Sequence, residues 1–131
     1  MKTNYKVAVA LVAGAVIGGA AIQGLHAQAK PPAYVVIPIL KINDAAAFKA
    51  GVADNAGASE AVVKAEGGHY IVRSEKFTRL DGDPPARLAI IAFDNIEKAQ
   101  AYENSEALKP ITAARLKSTN SLSFIVEGIA N

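Results

Sequence analysis

Gly67-Gly68-His69-Tyr70-Ile71-Val72-Arg73 is the stretch from which the rest of the chain can be read. A glycine pair stops a helix, because the left-handed position just past the last turn favours a residue without Cβ. Aromatic and β-branched residues then open a strand that is expected to run to about Leu80. Asp81-Gly82-Asp83-Pro84-Pro85 is turn chemistry, so Arg87–Phe93 (RLAIIAF) returns as an antiparallel partner. Toward the N-terminus, Asn43-Asp44 supplies a helix cap. The Ala-rich run from Ala45 to about Glu66 is the helix, bent or broken at Gly51 and at Asn55–Gly57. Ala33–Lys41 (AYVVIPILK) precedes it as a strand apolar enough to be covered on both faces. Pro38 lacks a donor N–H, which predicts an edge position or a bulge there. Toward the C-terminus, Asp94-Asn95 caps a second helix that starts near Ile96. Asn104-Ser105 restarts the cap pattern, so this helix comes in two pieces, the second with Pro110 in its first turns, where proline does least harm. Ser121–Ile129 (SLSFIVEGI) is the last strand.

The order is βαββαβ, an α+β arrangement of the ferredoxin-like kind with a four-stranded antiparallel sheet. Right-handed crossovers place both helices on one face of the sheet. The first strand offers Tyr34/Val36/Pro38/Leu40 to one side and Val35/Ile37/Ile39 to the other, so the uncovered face is largely apolar in either register. An oily surface of that size predicts a twofold homodimer with two sheets packed face to face.

The first block of the chain reads differently. Met1–Lys6 is short and basic, Val7–Ile22 is apolar and glycine residues only, and Ala27-Gln28-Ala29 carries small residues where a signal peptidase reads them. Together these predict a secretory signal peptide over residues 1–29, cleaved near Ala29, and a protein located in the periplasm or secreted. The apolar run is short for a permanent span, so membrane contact is expected only through a leader left uncleaved. There is no twin arginine, and no cysteine to carry a lipid anchor. Of the 131 residues, 102 remain after cleavage, Lys30–Asn131, as one domain.

Cleavage also removes Lys2 and Lys6, reducing 14 basic residues to 12 against 12 acidic ones. A near-neutral domain with scattered Lys and Arg is not built for nucleic acid, which demands a clustered positive face. The chain has no cysteine, and His69 is the one histidine beyond the leader. That excludes a disulfide framework and leaves too few N and S ligands for a zinc site. No metal and no bound cofactor is expected.

His69 is a candidate general base, since its unperturbed pKa lies nearest neutrality. The plainer role is a strand-end histidine half in water. Arg73 is a candidate for holding an anion or enolate, because an arginine on a covered strand needs a partner. The plainer role is an ion pair with Glu75 or Glu127. His69, Ile71 and Arg73 alternate along a strand and are expected to point the same way. Arg87 reads as a solvated strand end or a ligand contact. Tyr34 and Tyr102 can each hydrogen-bond a ligand oxygen, or be core residues with a wet hydroxyl. Arg115 reads as a helix-surface ion pair.

The quoted stretch, with Pro85-Ala86-Arg87, Ile91-Ala92-Phe93, Ala101-Tyr102-Glu103-Asn104-Ser105, Arg115 and Val126-Glu127-Gly128, resembles the family called domain of unknown function 1330. The likeness extends over Ala33–Ala130. It implies membership of the dimeric α/β-barrel superfamily, and hence a dimer with a pocket between sheet and helices. Relatives in that superfamily include cofactor-free oxygenases of quinol-type substrates, lactone isomerases, chlorite- and haem-active proteins and stress-response proteins. Against the family pattern, His69 stands where arginine is frequent, Pro38 where the first strand often has an acid, Tyr102 for tryptophan, Glu103 for tyrosine and Glu106 for proline.

Three functions follow as expectations. One is a cofactor-free enzyme, of oxygenase, isomerase or lyase type, acting on a small apolar carbonyl or aromatic compound. The second is a non-catalytic periplasmic binding module for a small hydrophobic ligand. The third is haem binding through His69 as a proximal ligand.

Overall fold

The computed structural model describes residues 30–130; the leader and its cleavage site lie outside the described residues. Residues 31–130 form one compact unit. Its strands are β1 (Ala33–Ile42), β2 (His69–Ser74), β3 (Arg87–Phe93), β4 (Thr119–Ser121) and β5 (Phe124–Glu127). Its α-helices are α1 (Ala45–Gly51), α2 (Ala56–Ala65), α3 (Ile96–Glu103) and α4 (Lys109–Ser118). Single 3₁₀ turns at Ala53–Asn55 and Glu106–Leu108 divide each of the two expected helices.

The caps are local and conventional. Asp44 Oδ1 accepts from Ala47 N at 3.0 Å, and Asn95 Oδ1 from Lys98 N at 3.0 Å. Helix α2 ends at the glycine pair as expected. Gly67 N donates to Lys64 O and Gly68 N to Val63 O, with Gly67 at φ +79°, the hydrogen-bond pattern of a Schellman motif. Gly68 is needed for a second reason: a Cβ there would sit 2.5 Å from the Phe93 ring. The expected Ser105 cap does not form, since its side chain makes no capping bond.

All strand pairs are antiparallel, in the spatial order β2-β3-β1 with β4 and β5 sharing the far edge of β1. The last strand therefore begins earlier than expected, at Thr119, and is interrupted at Leu122-Ser123. Proline explains the interruption. Pro38 O accepts from Leu122 N at 3.0 Å, so the edge of Pro38 that lacks a donor faces the break. A strand residue's N–H and C=O point the same way, and the missing N–H cannot hold a continuous ladder. Pro38 is thus in a central strand, just before a register shift between Ile39 and Lys41. Strand β2 is shorter than expected. Ser74 Oγ accepts from Lys76 N at 3.0 Å and turns the chain out of the sheet, leaving 75–86 without strand structure.

The most consequential departure is a β-bulge. Tyr70 opposes Ile91, yet Val72 opposes Ile90, so Ile71 is an extra residue. Because side chains alternate, one inserted residue moves everything beyond it to the other face. Tyr70 and Arg73 consequently share the helix side with Ile91 and Ala89, while His69 and Val72 share the open side with Ala92 and Ile90. The expectation that His69 and Arg73 point together is corrected by this insertion.

Helices cover the face bearing Ala33, Val35, Ile37 and Ile39. There Val35, Val63, Ile91 and Ala99 are sealed from solvent, together with Phe93, Tyr102 and Leu108. The Phe93 and Tyr102 rings meet at 5.3 Å and 37°. The opposite face presents Tyr34, Val36, Pro38, Leu88 and Ile90. Leu40, Phe124 and Val126 are about half exposed around them.

Candidate functional site

The core does not fill the space between sheet and helices. A cavity of about 70 Å³ remains, walled by Ile37, Ile39 and Ala89 on the sheet side and by Val52, Leu108 and Ile111 on the helix side. Polar side chains interrupt this lining: Tyr70, Arg73 and Arg87 from the sheet, Ser59, Tyr102, Glu103, Thr112 and Arg115 from the helices, and Ser123 from the strand break. Wider depressions share lining residues with this space, and two of them serve as its mouths. Glu103, Thr112, Arg115 and Ser123 also border a wider depression of about 470 Å³. Arg73 and Arg87 also border another, of about 460 Å³, with Ser74, Glu75 and Lys76.

At the first mouth, helix α3 delivers Glu103, with Tyr102 on the inner wall behind it, and helix α4 delivers Arg115. Arg115 is held from behind: its Nη1 donates to Ser121 Oγ at 2.7 Å. Ser121 Oγ lies 3.0 Å from Thr119 Oγ1, which donates to the Arg115 carbonyl at 2.7 Å. Arg115 is therefore not the surface ion pair the sequence suggested. Burial pulls its guanidinium below the ordinary value, opposed by the charge of Glu103. Among the described residues no cation lies within 4.0 Å of the Glu103 carboxylate. Burial raises the Glu103 carboxyl above its ordinary range, and Arg115 recovers only part of that shift. Burial, with Tyr70 and Glu103 nearby, pushes the Tyr102 phenol far up, so it stays protonated and acts as a donor. A carboxylate that holds a proton more readily than usual, beside a neutral phenol and a fixed cation, can take a proton and stabilise the oxyanion left behind.

At the second mouth, Arg73 lies over the Tyr70 ring at 4.3 Å and reaches Ala56 O only at 3.5 Å. Burial raises the Tyr70 phenol, while Arg73 lowers it. Arg87 is more enclosed, with its side chain 21% exposed; it pairs with Glu75 at 3.0 Å and lies 5.9 Å from the Phe48 ring centroid. Glu75 thus belongs to Arg87, and neither it nor Glu127 pairs with Arg73.

Three of the five residues singled out in the sequence, Arg73, Arg87 and Tyr102, line the cavity. The other two do not. His69 is exposed on the open side of the sheet, and Tyr34 is on that same face, its ring against Gly128. Haem ligation by His69 accordingly draws nothing from this cavity. Tyr70, Glu103 and Arg115 are the lining residues the sequence did not single out for chemistry. Pro38 points to the open side, so its departure from the family pattern leaves the cavity unaltered. Among the described residues no cluster of three or more His, Cys, Asp or Glu could hold a metal ion.

The fold recurs in solved structures. A protein of unknown function from Rhodopseudomonas palustris, RPA0582, is similar with a TM-score of 0.58 at 11% identity, over 78% of this chain and 85% of its own. SnoaB from Streptomyces nogalater, a cofactor-independent oxygenase, is similar with a TM-score of 0.52 at 10% identity, over 77% and 96%. At such identities the likeness establishes the ferredoxin-like α+β fold. No curated protein matches the chain. Residues 32–129 match the model of one family, and the chain belongs to it: the domain of unknown function DUF1330.

Proposed function

We propose that this is an exported, dimeric enzyme that works without a cofactor on a small carbonyl or aromatic compound held between sheet and helices. The observation that carries the proposal is Glu103: a half-buried carboxylate with a raised pKa, in an apolar cavity, beside the Tyr102 hydroxyl and the anchored Arg115. In this reading Glu103 removes a proton from carbon next to a carbonyl, or from a phenol. Tyr102 and Arg115 stabilise the resulting enolate or phenolate. Isomerisation, elimination and reaction with oxygen all start from such an anion. SnoaB, a cofactor-independent oxygenase of the same fold, makes the oxygen-consuming branch a natural one to examine.

The test is turnover of a panel of lactones, quinols and enolisable ketones by purified protein, with oxygen uptake followed in parallel. Glu103→Gln is expected to lower kcat by about 10²–10⁴-fold, the usual contribution of a placed acid–base group. Wild-type rates in Glu103→Gln on a compound that the protein does turn over would remove Glu103 from the mechanism. A compound bound in the cavity and released unchanged would make the protein a binding module, a role the apolar walls also suit.

Export and dimerisation belong to the same proposal. The leader pattern supports the first, and the oily open face of the sheet supports the second. Mass spectrometry of the protein recovered from periplasm, starting at Lys30, tests export. Sedimentation at micromolar concentration tests the dimer.

A further inference from the structure

The second mouth carries a charge pattern that the proposed proton transfer does not use. Arg73 opposes Ala89 in register, and Arg87 lies two residues before Ala89 on the same face. The two guanidinium groups are therefore diagonal neighbours, and like charges so placed repel. Lys76 borders the same depression. Glu75 is the one carboxylate there, and it is engaged by Arg87. The lining of this depression thus presents three cations against one anion, while Glu60, whose charge also acts on Tyr70, is paired with Lys64. Among the described residues Arg73 and Lys76 make no ion pair, and Arg73 is exposed with its fork directed only at the Tyr70 ring and a distant carbonyl. Behind these cations the walls turn apolar within one residue: Ala89, Ile39, Leu108 and Ile111. Glu103 stands at the other mouth.

We propose that Arg73 and Arg87, assisted by Lys76, bind the carboxylate of an amphipathic organic acid whose apolar body enters the cavity and whose reactive end meets Glu103. The inference rests on the reading of the cavity as the ligand site and adds the substrate class. A planar guanidinium receives a carboxylate through two parallel hydrogen bonds, which fixes direction as well as position. At the other mouth the charges of Glu103 and Arg115 offset each other, so the excess positive charge that orients a carboxylate lies at the Arg73 and Arg87 end. A space of about 70 Å³ between the mouths limits the body to a single ring or a short chain.

The experiment uses benzoate, its neutral counterpart benzamide, and acetate, titrated into the full-length protein by NMR or calorimetry at low and at physiological salt. Benzoate is expected to bind at least about tenfold more tightly than benzamide, as one charge-assisted bidentate contact allows. Acetate is expected to bind weakly, having no body. Arg73→Gln should collapse the benzoate-to-benzamide ratio toward one. Lys76→Gln, which does not line the inner cavity, should leave benzamide binding unchanged and weaken benzoate about two- to threefold, with a shallower salt dependence. Far-UV circular dichroism and melting confirm that both variants fold. Equal affinity for benzoate and benzamide, or a ratio unmoved by Arg73→Gln, overturns the carboxylate mouth and leaves the proton-transfer reading standing. Acetate binding as tightly as benzoate overturns it too, reducing the mouth to a patch for small anions. If neither benzoate nor benzamide binds, the carboxylate mouth falls; if Ile111→Trp, which fills the cavity, also leaves turnover of a converted compound unchanged, the cavity is not the site and the proton-transfer reading falls with it.

Discussion

The two faces of one sheet are built from alternate residues of the same strands, and they have opposite chemistry. On β3, Ile91 is sealed under helices and Arg87 and Ala89 line a cavity; one residue away, Leu88 and Ile90 sit on the uncovered side. Arg73, Arg87, Tyr70, Tyr102, Glu103 and Arg115 are all on the covered side. The uncovered side offers Tyr34, Val36, Pro38, Leu88, Ile90, Phe124 and Val126, with His69 at its margin. The covered side combines a sealed apolar core with polar groups around a cavity, while the uncovered side leaves apolar side chains in the open, where a small domain ordinarily shows few large ones together. The proposed function assigns the two sides different work, a ligand to the covered side and a second copy of the chain to the uncovered one.

Adjacent isoleucines give the sharpest way to break this contrast. Ile91→Asp puts an unpaired charge where exposure is 0%. The penalty of several kcal/mol rivals the whole stability of such a domain, so no folded protein is expected by circular dichroism. Ile90→Asp, one residue along, should instead give a folded monomer by sedimentation. If Ile90→Asp remains a dimer, the uncovered side is not the interface. Phe93→Ala comes next, since Phe93 touches Tyr102 and closes over Gly68. A loss of about 3–5 kcal/mol in urea unfolding is expected, with the dimer spared at low denaturant.

Glu103→Gln sharpens the comparison from the covered side. Folding raises the Glu103 pKa, so stability is lost as pH climbs above the ordinary 4.5, and the loss is complete once pH exceeds the raised value. The Gln variant should therefore melt higher than wild type at pH 7. The advantage should vanish as pH falls below the ordinary carboxylate value of 4.5, where both chains are neutral at this position. A constant difference across that range would mean that Glu103 is not the titrating group. The smallest effect expected is that of Asn95→Ala. It removes the cap of the helix carrying Tyr102 and Glu103 and should cost about 1 kcal/mol, leaving the sedimentation of the native protein unchanged.

Much of the architecture was legible because its signals are local. Gly67-Gly68 stops a helix by backbone conformation, Asp44 and Asn95 cap by reaching three residues ahead, and Pro38 announces an irregular ladder wherever it falls. The site was less legible because its geometry is not local. The bulge at Ile71 carries no glycine or proline to mark it, so counting alternate residues placed His69 beside Arg73 when the ladder separates them. Glu103 and Arg115 lie on separate helices, and only packing against the strand break turns both toward one space. Arg115 on α4 looks like a solvated charge until Ser121 and Thr119 are seen to fasten it. The partner of Arg87 was obscured for a related reason: β2 ends early, and Glu75 swings out of the ladder to meet it.

The extra residue at Ile71 has a consequence for evolution within the fold. Substitutions in this strand alter single contacts, whereas gain or loss of one residue between Tyr70 and Val72 would exchange the cavity-facing and open-face residues beyond that point. In a relative whose strand differs in length there, matching residues to Arg73 by counting along the chain would pair a cavity-facing residue with one on the open face.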